Sequence, residues 1–169
     1  VTWAYAVSGA TGVTASLATG TAIGSGTETL VGSEHLIGSP NADRLTGDGN
    51  ANNLSGGAGN DTLDGGAGAD TLTGGDGNDF YYIDHAGDLV SESNAAAAGG
   101  IDLVHSTLAS HTLGANVENG RIMATGAANL TGNTLNNLLY AGIGNNLLDG
   151  GSGSDTVTWA YAVSGATGV

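Results

Sequence analysis

Asp61, Asp70, Asp79 and Asp155 each hold the sixth place of a nine-residue unit whose first half is rich in glycine and whose eighth place is apolar or aromatic, and Asp43 and Asp88 hold the same place in flanking units that are degenerate but in phase. The unit is plainest at Gly56–Asp64, Gly65–Thr73 and Gly74–Tyr82, and it returns in full at Gly150–Thr158. An aspartate carboxylate set in a turn of glycines suits one chemistry above others. Glycine reaches backbone angles closed to other residues, so such a turn can aim several carbonyl oxygens at one point. The carboxylate adds charge to them. A hard divalent cation of the calcium type takes about six to eight oxygen ligands, and this arrangement could supply that shell.

The elements that must position these aspartates follow from the same period. One apolar residue in nine cannot furnish the stripe of an amphipathic helix, which needs three or four every two turns. It does suit a coil whose short parallel strands stack, so that each leucine lies over its counterpart one coil away. The beat extends from the clear copies to Leu45 and Leu54 upstream, with Asp43 and Asn52 at the sixth place, and to Asp88 and Val90 downstream. A second block repeats it through Leu130, Leu139, Leu148 and Val157. The expected fold is all-β, a right-handed parallel β-roll or β-helix solenoid with cations in its glycine-rich turns.

A second, longer period overlies the first. Val157–Val169 repeats Val1–Val13 letter for letter, an offset of 156 residues, so the chain is expected to be one long period with the start of the next. We expect one continuous solenoid: linking coils with longer strands over 1–37 and 89–122, a first block over 38–90, a second and degenerate block over 123–158, and the next long repeat opening at 157–169. Val13–Ala22, Ile101–Leu108 and Val117–Met123 read as the longer strands, and Ser93–Gly100 as a loop.

Composition narrows the function. Sixteen acidic residues face two basic ones, Arg44 and Arg121, for a formal net charge of −14. That balance excludes nucleic acid as a partner and offers no basic cluster to an anionic membrane. The absence of cysteine removes disulfides, thiolate nucleophiles and thiolate-bound zinc. No apolar run approaches the ~20 residues of a membrane helix, and Val1 onward is not a signal peptide, so any export signal is expected outside this stretch. His35, His85, His105 and His111 show no metal-ligand spacing and read as exposed or strand-filling. Asp48–Asn53 resembles an EF-hand loop only superficially, because Asn53 replaces the required glycine. With no nucleophile elbow and no phosphate loop, neither an enzyme nor a small-molecule substrate is expected.

The nonapeptide resembles the repeats-in-toxin (RTX, hemolysin-type) calcium-binding family, through Gly56–Tyr82 and Gly150–Thr158 most clearly. Tyr82–Val90 and Asn116–Asn119 are also similar to linking segments of long proteins of that family. The resemblance implies several bound Ca2+ ions, two nonapeptides per 18-residue coil, and ions shared between alternate turns. Asp61 would then share sites with Asp43 and Asp79 on one edge, and Asp70 with Asn52 and Asp88 on the other. The expected ligands are the carboxylates of Asp43, Asp61, Asp70, Asp79, Asp88 and Asp155, with the turn backbones of Gly56, Ala58, Asn60, Gly65, Ala67, Ala69, Gly74 and Asp76. Asp48, Asp64 and Asp149 lie off the ligand place. Asn52, Asn137 and Asn146 replace the aspartate, which predicts weaker or empty sites there.

The resemblance further implies export of an unfolded chain that folds in extracellular calcium, from a secreted or cell-surface bacterial protein. A stalk or filament for adhesion, matrix or surface layer is expected, its partners being neighbouring repeats and laterally associated copies. The alternative is a secretion-assisting module carried by a type I secreted enzyme such as a protease, lipase or epimerase. Trp3, Tyr5, Trp159 and Tyr161, in the duplicated junction, are expected to pack between coils.

Overall fold

The computed structural model describes residues 11–24, 26–92 and 99–159, and the backbone of Ala4–Tyr5. Among these residues there is no helix, and the strands form a β-solenoid of about seven turns. Two columns of inward side chains build its core. In a five-stranded sheet, Leu36, Leu54, Leu72 and Val90 lie in parallel register. In a ten-stranded sheet the column runs Ala15, Leu45, Leu63, Tyr81, Val104, Gly120, Leu139 and Val157. Toward the C-terminal end a three-stranded sheet aligns His111, Leu130 and Leu148. Leu45, Leu54, Leu63, Leu72 and Leu139 are fully buried, and one apolar cluster draws on all three sheets.

Gly120 breaks the column of large side chains for a packing reason. A methyl group there would press on Leu130 and Leu113 at 2.9 and 3.0 Å, so the missing side chain makes room for two leucines. Tyr81 does the opposite. It stands where its neighbours in the column carry leucine and valine, and its ring is wholly enclosed.

Two local expectations are corrected. Val13–Ala22 is not one longer solenoid strand. It splits into Thr14–Ser16 and Thr21–Ile23, which pair antiparallel, and Thr27–Thr29 adds a further antiparallel strand. Gly20, at φ +67°, makes the reversal that a longer strand could not. Strand lengths also reverse the expectation. The longest strands, Asn53–Ala58 and Thr71–Asp76, lie inside the first nonapeptide block, whereas those of the linking coils span two to four residues. The block strands run on through their glycine pairs because Gly57 lies opposite Gly75 and Ala58 opposite Asp76. Trp159 follows the last described strand, Thr156–Thr158, and the coil that would cover it lies outside the described residues. Ser93 to residue 98, Trp3, Tyr161 and the rest of the second junction lie outside the described residues.

Candidate metal centre

Stacking places the aspartates in two ladders, one on each edge of the first block. On the first edge the amide of Asp43 donates to Asp61 Oδ1 at 2.8 Å, the amide of Asp61 to Asp79 Oδ1 at 2.7 Å, and the amide of Asp79 to Asp102 Oδ1 at 2.8 Å. The ladder ends where the Asp102 amide donates to Glu118 Oε2 at 2.9 Å. On the second edge Asn52 donates to Asp70 Oδ1 at 2.8 Å and Asp70 to Asp88 Oδ1 at 3.1 Å. The step is 18 residues throughout the nonapeptides, then 23 between Asp79 and Asp102 and 16 between Asp102 and Glu118.

Each aspartate therefore uses one oxygen to hold the coil before it. In three of them the other oxygen is left over. In Asp61, Asp70 and Asp79 the Oδ2 atom is buried without a hydrogen-bond partner, a costly state for a polar atom. These oxygens face the first glycine of their own repeat. A methyl group at Gly56, Gly65 or Gly74 would overlap Oδ2 of Asp61, Asp70 or Asp79 respectively. At Gly38 it would overlap Asp43 Oδ2 and the carbonyl oxygen of Gly56 in the following coil, and at Gly47 the amide oxygen of Asn52 and the carbonyl oxygen of Gly65. The first glycine thus keeps open a cradle walled by side-chain oxygens, joined at Gly38 and Gly47 by a carbonyl oxygen of the following coil. The next glycines serve stacking instead. Gly75 (φ +112°) and Gly77 (φ +122°) sit against the carbonyls of Gly57 and Gly59, where no side chain fits.

Electrostatics match an edge awaiting positive charge. Burial, with the neighbouring carboxylates of Asp79 and Asp43, lifts the Asp61 carboxyl to about 7 against the opposing Asp43 amide. Burial also raises Asp79 and Asp70 above the usual carboxylate range. Asp102 rises to about 7, through burial and then Asp79 and Glu118, although the Asp79 amide opposes it. Glu92 rises to about 8, through burial and the charges of Asp102 and Asp79, with nearby amides of Gly75 and Gly74 offsetting part of the rise. A cation in the cradles would neutralise these groups and fill the empty coordination of Oδ2.

The remaining expected ligands are placed as follows. Asp43 is buried, and its carboxylate accepts from the amides of Val13 and Ser39 and from the Ser39 hydroxyl. Asp88 is half-buried and accepts from Asp84 and His85 through Oδ2 at 3.1 and 3.0 Å, in addition to the ladder bond. Asp155 Oδ1 accepts the Asn137 amide at 2.8 Å, and its Oδ2 faces Gly150. Asn60 Oδ1 caps the amide of Asn78 one coil later, at 2.9 Å. The Asp76 carbonyl already accepts the Gly59 amide at 2.8 Å, leaving it one lone pair. Ala58 is half-buried, and Ala67 and Ala69 are exposed at the tips of their turns. Asp48, Asp64 and Asp149 each accept the amide two residues on, as ordinary turn aspartates do.

The second block closes its edge differently. Asn137 Nδ2 donates to the carbonyls of Val117 (3.1 Å) and Glu118 (3.0 Å), and Asn133 Nδ2 to those of Gly114 and Val117, both at 2.7 Å. There the amide N–H groups of asparagine take up inward carbonyl oxygens that a cation could otherwise bind.

A family model for the RTX calcium-binding nonapeptide repeat (4 copies) matches residues 28–63, 46–81 and 125–158, together just over half of the chain. The chain belongs to the RTX family. No curated protein matches it. RTX repeats are calcium-binding motifs typical of secreted bacterial proteins, and the cradles fit that ion on their own chemistry: hard oxygens, unpartnered and charged. In this RTX chain the Oδ2 atoms of Asp61, Asp70 and Asp79 would hold the ions, and a bound ion would supply cross-coil charge neutralisation.

Three acidic groups of the edge, Glu92, Asp102 and Glu118, fall outside the RTX matches and were not expected from the sequence. Asp102 carries a legible signal, since it stands two residues before the inward Val104 as Asp61 does before Leu63. The 23-residue step hides it from an 18-residue rule. Glu92 lies 18 residues after Gly74, in the place of a first glycine.

Proposed function

We propose that this RTX solenoid is a structural, non-enzymatic segment of a secreted or cell-surface bacterial protein, an extended stalk stiffened by calcium after export. The observation that carries the reading is the row of buried, unpartnered Oδ2 atoms of Asp61, Asp70 and Asp79. Carboxylates so placed repel one another and strain the stack until a cation joins adjacent coils, so the fold is coupled to extracellular calcium. The duplication of Val1–Val13 at Val157–Val169 supports a tandem array in which length is the useful property. Adhesive, matrix or surface-layer duty fits such a shape, with neighbouring repeats as the immediate partners.

The test is a calcium titration of the metal-free chain followed by far-UV circular dichroism, with magnesium as control. A cooperative gain of β signal at submillimolar to millimolar calcium, absent with magnesium, is the expected result. A chain fully β-folded in chelator at neutral pH and indifferent to calcium would overturn the coupling.

A further inference from the structure

The last coil of the first block holds a group of atoms that the nonapeptide does not account for. Carboxylate oxygens of Asp79, Glu92 and Asp102 lie within 4.8 Å of one another, and all three residues are buried, at 0%, 6% and 1% exposure. The Oδ2 of Asp79 has no hydrogen-bond partner, and the Glu92 oxygens have only the amides of Gly75 and Gly74 nearby, none in good hydrogen-bond geometry. A fourth group from a different residue class joins them. The hydroxyl of the fully enclosed Tyr81 is also unpartnered, and it points to the same spot beside Gly74 as Asp79 Oδ2 and Glu92 Oε1. A buried tyrosine hydroxyl normally finds a partner.

The frame around this spot is fixed. Asn116 Nδ2 grips the Glu92 carbonyl at 2.9 Å, Asp102 Oδ1 holds the Asp79 amide at 2.8 Å, and Glu118 Oε2 holds the Asp102 amide at 2.9 Å. Hydrogen bonding thus orients the backbones while leaving four inward oxygens free: two from Glu92, one from Asp79 and one from Tyr81. A nonapeptide turn offers one carboxylate per repeat and fills its shell with main-chain carbonyls. Here three side-chain carboxylates converge because Glu92 takes the place of a first glycine and Asp102 arrives after a 23-residue coil.

We propose that Asp79, Glu92 and Asp102, with the Tyr81 hydroxyl, form a side-chain site for a hard divalent cation, calcium foremost, which closes the first block. Its higher count of charged ligands makes it bind more tightly than the nonapeptide turns, because affinity for such ions follows ligand charge and rigidity. It fills first and clamps the long coil to the block. The proposal rests on the calcium reading of the edge; Asp79 and Tyr81 lie within the family matches, and Glu92 and Asp102 add ligands outside them.

The test titrates the full 169-residue chain with Tb3+ as a luminescent surrogate, read through tyrosine sensitisation and displaced with calcium, beside calorimetric calcium stoichiometry. Glu92→Gln should abolish or weaken the tightest class by at least about tenfold and leave the weaker class in place. Glu92→Gly, which restores a repeat glycine, should fold in calcium with one ion fewer, so a poorly packed glutamine does not decide the matter. Tyr81→Phe should dim the sensitised emission of the tightest ion. Unchanged tight binding and stoichiometry in both Glu92 variants, with calcium-dependent folding intact, would overturn this site and leave the nonapeptide reading standing. A wild-type chain that binds neither ion would overturn both.

Discussion

The sign of the pH dependence should invert when calcium is added. Glu92 is lifted from 4.5 to about 8, and Asp61 and Asp102 from 3.8 to about 7, all in buried positions. A carboxyl whose folded pKa is raised holds its proton more tightly folded than unfolded. Its stabilising contribution is therefore complete below the unfolded value and is lost as pH rises through the folded one. Moving the metal-depleted protein from pH 8.0 to about 5.5 regains roughly 3 kcal/mol at Glu92 and roughly 2 at each aspartate, from about 1.4 kcal/mol per pKa unit. Glu92 and Asp102 share one cluster and titrate together, so the expected total is on the order of 4 to 6 kcal/mol.

Urea unfolding followed by far-UV circular dichroism is the assay. With a slope of about 1–3 kcal/mol per molar, the midpoint should move by at least about 1.3 M, upward with acidity. In millimolar calcium the ion competes with protons for the same oxygens, so the midpoint should instead rise from pH 5.5 to 8. A metal-depleted midpoint that rises with pH, or an identical trend with and without calcium, would refute the account of these carboxylates as charge-starved ligands.

Gly77→Ala should lower stability in calcium by at least about 2 kcal/mol, through positive φ and collision with the Gly59 carbonyl. Gly49→Ala, with nothing within 4 Å of the added carbon, should stay within about 0.5 kcal/mol of wild type. Thermal unfolding of both variants makes the comparison, and equal losses would sink the stacking argument. Asn137→Asp should destabilise the metal-depleted chain by about 1–3 kcal/mol by removing donors to Val117 and Glu118, with the loss recovered on calcium addition; urea midpoints with and without the ion read it. Leu63→Ala, in the middle of the long inward column, should cost about 2–5 kcal/mol. The half-buried Leu148→Ala should cost visibly less in the same measurement.

The stacked leucines and the two-edged aspartate ladder were legible because both depend on a fixed 18-residue step, which any sequence period records. Asp102 escaped because its step is 23 residues, and Glu92 because it occupies a glycine place and contributes by departing from the pattern. The reversal at Gly20 was hidden for another reason: alternation along Val13–Ala22 reports which side of a strand is buried, not whether its partner runs parallel or antiparallel.

The ladder has a direction. At every rung of the first edge the amide belongs to the earlier coil and the carboxylate to the later one. Ordered coils are therefore unequal templates: a later coil presents acceptors ready-made to the segment before it, whereas an earlier coil presents amides that wait for a carboxylate to arrive. The two ends of an interrupted solenoid therefore differ in kind. The end facing forward carries unmet amide hydrogens, and the end facing back carries bare charge. Such polarity would make assembly from one terminus faster than from the other, as in any filament whose two tips are chemically distinct.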